Sequence, residues 1–411
     1  MCLFPLYIDP GTGSLLFSAL IGAAATLYFV GRALIIKLKM FFSGGKVSGV
    51  SSTYPFIIYN EGIQYFNVFK PVLDEFEKRE IGLLFLTSAE DDPVFSAGYK
   101  YIKPEFIGAG NKAFARLNFL CADVVLMTTP GLNVYQLKRS KNVKHYAHIL
   151  HAPSDATLYR LFGIDYFDSI LQSGDYQAKD IRRLEVMRGI PKKELVTVGC
   201  TYLDVYAEKI KQIQQEEHHA FTVLVSPSWG PSALLAKYGS RLLDPLVKTG
   251  WRIIVRPHPQ SKKSEGAILD GLTEKYKGVS SLEWDYQREN IFALAKADIM
   301  ISDFSGIVYD YAFLRDKPVI YVKQGMDLRP YDAGDLGDDA LNELWQFRAL
   351  QEIGIELKEE MFASIGELIR TVTDSAQLRA SRERAKAESW MYQGEAGRRV
   401  AEFMIHKRLN G

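Results

Sequence analysis

Residues 297–322 constrain the fold more than any other stretch: they read ADIMISDFSGIVYDYAFLRDKPVIYV. The apolar run Ile299-Met300-Ile301 is short enough to be a buried parallel strand. It ends in Ser302-Asp303-Phe304-Ser305-Gly306, after which Ile307, Tyr311 and Leu314 fall on one helical face. Pro318 and residues 319–322 start the next strand. Strand, Ser/Gly turn, helix and strand make a βαβ unit, whose helix N-terminus offers backbone N–H groups and positive dipole to a phosphate. Ser305 is placed to cap that helix, and Gly306 leaves room for a ligand to approach. Asp310, about one turn in, is in reach of a ribose hydroxyl. The same pattern also describes an ordinary capped helix of any α/β protein, so the rest of the chain must decide.

At 411 residues the chain is long enough for two domains. A net charge of +1 gives no basic surface for nucleic acid. Cys2, Cys121 and Cys200 have no metal or redox spacing, and the last two sit in apolar contexts expected of reduced core thiols.

The N-terminal 45 residues read as a membrane anchor and linker. Residues 15–30 are apolar, and residues 33–36 extend the run past Arg32. The resulting helix, over about residues 14–37, has the roughly 20 apolar residues that span a bilayer. Arg32, Lys37, Lys39 and Lys46 all follow the run, which is not the charge order of a signal peptide. That asymmetry predicts a single-pass protein of the inner membrane, with the long C-terminal part cytoplasmic. A helix lying in the membrane surface is the alternative.

Beyond a Gly/Ser linker, strands and helices alternate. Residues 56–59, 83–86, 124–127, 148–150, 170–172 and 196–198 read as strands, with helices at 65–79 and 176–188. They form a first Rossmann-like domain at 50–205. A charged helix over 203–217 leads to a second such domain at 218–385. It starts with a strand at 221–225, a helix at 234–248 and a strand at 252–255. Residues 331–339 read as an acidic loop and 341–409 as helical, with a last helix (386–411) packing back on the first domain. This predicts an α/β, GT-B-like fold, two doubly wound parallel sheets facing a cleft. No G-x-G-x-x-G occurs, so a dinucleotide has no support.

Three further places lie at predicted strand ends, where open parallel sheets bind ligands. His151 follows an apolar strand and precedes a helix that Ser154 or Asp155 can cap. It is placed to act as a general base, with an acid limb expected at roughly pH 6–7, though a solvated loop histidine fits the same sequence. His145, His148 and His151 do not all share a face of a strand, which argues against a metal. Ser226-Pro227-Ser228-Trp229-Gly230 fixes a turn in which Ser228 and Trp229 can contact a phosphate and an apolar ligand surface; an inter-domain hinge reads equally well. Arg256-Pro257-His258-Pro259 holds a cation and an imidazole in a stiff loop suited to a diphosphate, or simply forms a structural loop.

As a set, these motifs resemble the CDP-glycerol:poly(glycerol phosphate) glycerophosphotransferase family. Its His-Gly motif is matched by His151-Ala152, its Pro-Thr/Ser-Trp turn by Pro227-Ser228-Trp229, and its Arg-x-His-Pro loop by residues 256–259. Its Ser/Thr-Asp-Tyr-Ser-Ser turn and following Phe-Asp are matched by residues 302–306 and Tyr309-Asp310, and Gly394-Glu395-Ala396 is similar to a segment near the family's C-terminus. The resemblance spans roughly residues 140–405. Ala152 and Gly306 depart from the pattern, as does Pro153-Ser154-Asp155-Ala156 after the histidine.

The resemblance implies a membrane-anchored transferase that attacks the β-phosphate of CDP-glycerol, or a related CDP-alcohol, with a hydroxyl of a lipid-linked or polymer acceptor. CMP leaves, and no organic cofactor or metal is needed. His151 and His258 would be catalytic. Arg256, Ser302, Asp303, Ser305, Gly306, Asp310, Ser228 and Trp229 would hold the donor, with Ser154 and Asp155 on the acceptor side. The alternatives are a GT-B glycosyltransferase, a sugar-nucleotide epimerase with a similar Asp-Ser-Gly-Gly turn, or a non-catalytic membrane scaffold for envelope polysaccharide synthesis.

Overall fold

A computed structural model describes Gly31 and residues 53–213, 220–303, 305–323, 328–337 and 343–410. The expected membrane helix at 14–37 therefore lies outside the described residues, except Gly31, which is helical. Among the described residues no helix is long and apolar enough to cross a membrane.

Residues 54–411 form one compact unit, distinct from residues 1–53. Its first half contains β1 (Tyr54–Asn60), α1 (Phe66–Lys78), β2 (Leu83–Thr87), β3 (Ile102–Phe106), α2 (Asn111–Leu117), β4 (Cys121–Met127) and β5 (Asn142–Ile149). It continues with β6 (Ser169–Gln172), α3 (Ala178–Arg188), β7 (Glu194–Thr197) and α4 (Thr201–Gln212). The strands pair in parallel in the order β3-β2-β1-β4-β5-β6-β7. Central strands are apolar at consecutive positions because both faces are covered. Phe56, Ile58, Val124 and Leu126 face a core shared with α1, while Ile57, Tyr59, Val125 and Met127 face the one shared with α2.

The second half begins with β8 (Thr222–Val225), α5 (Leu234–Tyr238), α6 (Ser240–Lys248), β9 (Arg252–Val255), α7 (Ser261–Ser264), α8 (Gly266–Lys275), β10 (Leu282–Trp284) and α9 (Ile291–Lys296). β11 (Ile299–Ser302), α10 (Ile307–Arg315), β12 (Val319–Tyr321), α11 (Trp345–Ile353) and β13 (Gly354–Glu356) follow. The strands lie in the order β10-β9-β8-β11-β12-β13, all parallel. Both sheets thus share the doubly wound order, and each reverses between its first and fourth strands. Crevices at such reversals are where these sheets bind ligands.

The expected single helix at 234–248 is two helices, broken where Gly239 adopts φ +44°. Residues 341–409 are not helical throughout, since they include β13 and a 3-10 turn at Glu359–Ser364. The acidic stretch after β12 is also structured: Asp332–Leu336 is a 3-10 turn with Asp332 and Leu336 buried.

The chain closes with α12 (Ile365–Thr373), α13 (Ala376–Ser389) and α14 (Ala396–Asn410). Val400, Ala401, Phe403 and Met404 of α14 join the core around α1. Asp204 of α4 fixes its start, accepting from the backbone N–H of Gly394 (2.8 Å) and Ala396 (3.1 Å) and from Trp390 Nε1 (2.8 Å). A Cβ on Gly397 would lie 2.5 Å from Pro71 of α1, so the helix approach needs glycine there.

Candidate active site

Two neighbouring cavities open at the strand ends, and both are lined by the turn after β1. Tyr65 lines the first, while Ile63, Gln64 and Phe66 line the second.

The first cavity, about 580 Å³, contains His151. Its Nδ1 meets the hydroxyls of Thr128 (3.0 Å) and Tyr159 (3.1 Å), leaving Nε2 for the cavity. In the tautomer whose Nδ1–H donates to one of these oxygens, Nε2 is unprotonated, the state a general base requires. Burial pushes the His151 pKa down to about 4, well below the limb at 6–7 expected from an ordinary histidine. Among the described residues no hydrogen bond to a carboxylate is formed to raise it. His148, the next histidine inward, is fully buried between Tyr159 and Phe167 and is pushed down to about 3.

Ser154 and Asp155 line this cavity, but neither caps the short turn that follows them. The Asp155 carboxylate reaches across to the second half, accepting from the backbone N–H of Trp345 (3.0 Å) and Gln346 (2.9 Å) at the start of α11. The Ser154 carbonyl accepts from Tyr176 Oη (3.2 Å) and Gln177 Nε2 (2.7 Å). Both residues therefore stand in the cavity expected to take the acceptor, and Asp155 in addition clasps the second half of the chain. Burial raises the Asp155 pKa to about 6 despite those N–H donors.

The second cavity, about 670 Å³, lies between the halves. Lys70, Lys209, Arg256, His258 and Arg288 bring cationic or imidazole groups to it from four different segments, and Ser226, Pro227, Ser305 and Ile307 line the second sheet's reversal. His258 is exposed. Its Nδ1 accepts from the Gln260 N–H (3.1 Å), so Nε2–H faces outward as a donor. Partial burial lowers its pKa. The Trp229 ring stands beside it at 6.3 Å.

Several of the expected donor ligands make framework bonds. Arg256 lines the cavity, yet its guanidinium holds Asp285 (2.6 Å) and the Gln287 carbonyl (2.7 Å), which fixes the loop carrying Arg288. Ser302 is buried and donates to the Ser226 carbonyl (2.6 Å). Asp303 is buried too, accepting from the N–H groups of Ser228 (2.7 Å) and Leu234 (2.8 Å). This ties the turn after β8 to the turn after β11, because buried carboxylates require such donors. It is the backbone N–H of Ser228 that is engaged there. Ser305 does not cap α10, whose N-cap is Gly306 with no side-chain bond. Gly306 is exposed with open space around it. Asp310 lines neither cavity; its Oδ1 is buried without a partner, and burial raises its pKa to about 8.

The sequence reading missed Lys70, Lys209 and Arg288 in the second cavity, and Tyr65, Thr128, Tyr159, Arg160 and Tyr331 around His151. Reading Leu282-Glu283-Trp284 as a strand would have exposed Arg288 as a strand-end residue.

Two doubly wound sheets meeting across a cationic cleft define a GT-B protein. Within that class, residues 230–339 match the family CDP-Glycerol:Poly(glycerophosphate) glycerophosphotransferase, so that part of the chain is similar to that family. The matched span includes the Arg256–Pro259 loop and the turn at 302–306, but not His151. No curated protein matches the chain in sequence. Among solved structures, the wall teichoic acid polymerase TagF, a histidine variant soaked with CDPG, superposes with a TM-score of 0.56 at 13% identity, covering 93% of this chain and 96% of that one. A putative UDP-N-acetylglucosamine 2-epimerase from Listeria monocytogenes gives 0.56 at 13% identity, covering 88% and 98%. The UDP-GlcNAc 2-epimerase of Methanocaldococcus jannaschii gives 0.55 at 14%, covering 86% and 99%. At such identities these likenesses show the fold.

Proposed function

We propose that the chain moves a glycerol-phosphate, or related alditol-phosphate, from a CDP-alcohol to a hydroxyl of a lipid-linked or polymer acceptor of the cell envelope. The observation that carries this reading is the pairing of a neutral, hydroxyl-held histidine with an adjoining cationic cleft, both lined by one turn. The diphosphate of the donor would lie among Lys70, Lys209, Arg288 and His258, whose charges and N–H groups complement it. The acceptor oxygen would attack the β-phosphorus while His151 Nε2 takes its proton. The new P–O bond would form as the bond to the bridging oxygen breaks. CMP would leave with that oxygen, its growing charge met by the same cations.

The test is incubation of the full chain with a panel of CDP-alcohols and nucleotide sugars, watching for released nucleotide. CMP release from CDP-glycerol or a related CDP-alcohol is expected. UDP or UMP release from a nucleotide sugar would favour a glycosyltransferase or an epimerase, and no turnover at all a scaffold. His151→Ala should cut turnover by about 10²–10⁴-fold, the usual contribution of a general base, while donor affinity holds.

The membrane reading belongs to the same proposal: residues 14–37 anchor the protein in the inner membrane with the catalytic unit cytoplasmic. Its support is the apolar run and the cations that follow it. Removing residues 1–52 should release the remainder from the membrane pellet. A folded remainder that still sediments with membranes would refute a single anchor.

A further inference from the structure

The cavity around His151 differs in chemistry from the cationic cleft beside it. Its wall carries four tyrosines from four separate segments: Tyr65 after β1, Tyr135 after β4, Tyr159 after β5 and Tyr331 from the stretch following β12. Tyr135 is 71% exposed at the mouth. The single basic side chain on the wall is Arg160, which is exposed and has no ion pair among the described residues. Tyr331 and Arg160 are locked together as an antiparallel bridge, and Asp332 next to them accepts from the Phe162 N–H (2.6 Å) and from Arg188 (2.8 Å). The second half of the chain therefore supplies part of this wall.

Aromatic faces are electron-rich, and the C–H bonds on one side of a pyranose ring are weakly positive, so tyrosine walls suit sugar rings. A poly(glycerol phosphate) strand has no such face, and every repeat adds a negative charge. It would need several cations where this cavity has one. Resting on the transferase reading above, we propose that this cavity binds the acceptor as a pyranoside, its ring against the tyrosines and one anionic substituent on Arg160. The acceptor hydroxyl comes from a sugar rather than from a glycerol-phosphate chain. Arg160 sets the preference for an acidic over a neutral sugar, since a guanidinium matches carboxylate or phosphate.

Saturation-transfer NMR on the full chain without any nucleotide tests this separately from the donor. The probes are methyl pyranosides of gluco, galacto and manno configuration, their 2-acetamido forms, glucose 6-phosphate, and glycerol 3-phosphate as the rival. Ring protons of at least one pyranoside should receive saturation, with glycerol 3-phosphate receiving far less. Tyr135→Ala, at an exposed position that leaves the fold intact, should weaken pyranoside binding by about tenfold, the order of one aromatic contact. Arg160→Gln should abolish the advantage of glucose 6-phosphate over the neutral sugars. No saturation of any pyranoside, binding unaffected by Tyr135→Ala, or preferential binding of glycerol 3-phosphate would overturn the proposal. CMP release from CDP-glycerol, measured in a separate sample, reports on the donor reading alone.

Discussion

His151 owes its character to what surrounds Nδ1. Two hydroxyls, from Thr128 and Tyr159, orient the ring, and burial holds it neutral. A folded pKa of about 4 lies below the ordinary value of 6.5. The imidazole is therefore deprotonated at every pH above about 4, so in the proposed role of general base it predicts CMP release that stays flat down to about pH 5 and halves near 4. A half-point near 6.5 in the pH–rate profile would exclude this imidazole as the base. The same depression makes the unfolded chain the better proton acceptor, so His151's contribution to stability is complete above 6.5 and lost as pH falls through about 4. Asp155 yields a different expectation. Asp155→Ala removes the acceptor for two N–H groups of α11 and should cost about 1–2 kcal/mol, the range for a lost N-cap, read as a lower Tm. Position told this much from sequence: His151, His258 and Arg256 stand at strand ends and were found there. Partnership was not legible. Nothing in the order of residues marks Asp155 for a helix start nearly two hundred residues on, or Asp303 for the turn after β8.

At the scale of elements, strands buried on both faces were readable, while of the four edge strands only β7 was. The central strands show as apolar runs such as Ile299-Met300-Ile301. β3, β10 and β13 lie at sheet edges, where one flank meets no strand and charged residues such as Lys103, Glu105 and Glu283 are tolerated. Missing β10 meant missing Arg288. The C-terminal helix carries a separate expectation. Gly397→Ala places a methyl group against Pro71 and should destabilise the protein by about 1–3 kcal/mol, the usual cost of overpacking. Chemical denaturation of that variant, compared with alanine at the exposed neighbour Arg398, isolates the contact.

Across the whole molecule, the two sheets are joined by more than the peptide chain. Asp155 reaches α11, Asp332 reaches Phe162, Gly163 and Arg188, and α14 returns to α1. Arg188 stands among Asp165, Asp332 and Asp335 with only 9% of its side chain exposed. Neither half keeps all its buried charges paired without the other, and an unpaired buried charge is among the costlier defects a fold can carry. Multi-domain proteins commonly melt in stages. Here differential scanning calorimetry of the unit at 54–411 should show one endotherm, and Arg188→Met should split or broaden it. A protein so bound would have little freedom to hinge between substrate loading and product escape. Its catalytic cycle would then run without large-scale domain motion, with nucleotide exchange paced by side chains lining the cleft such as Arg288 and His258.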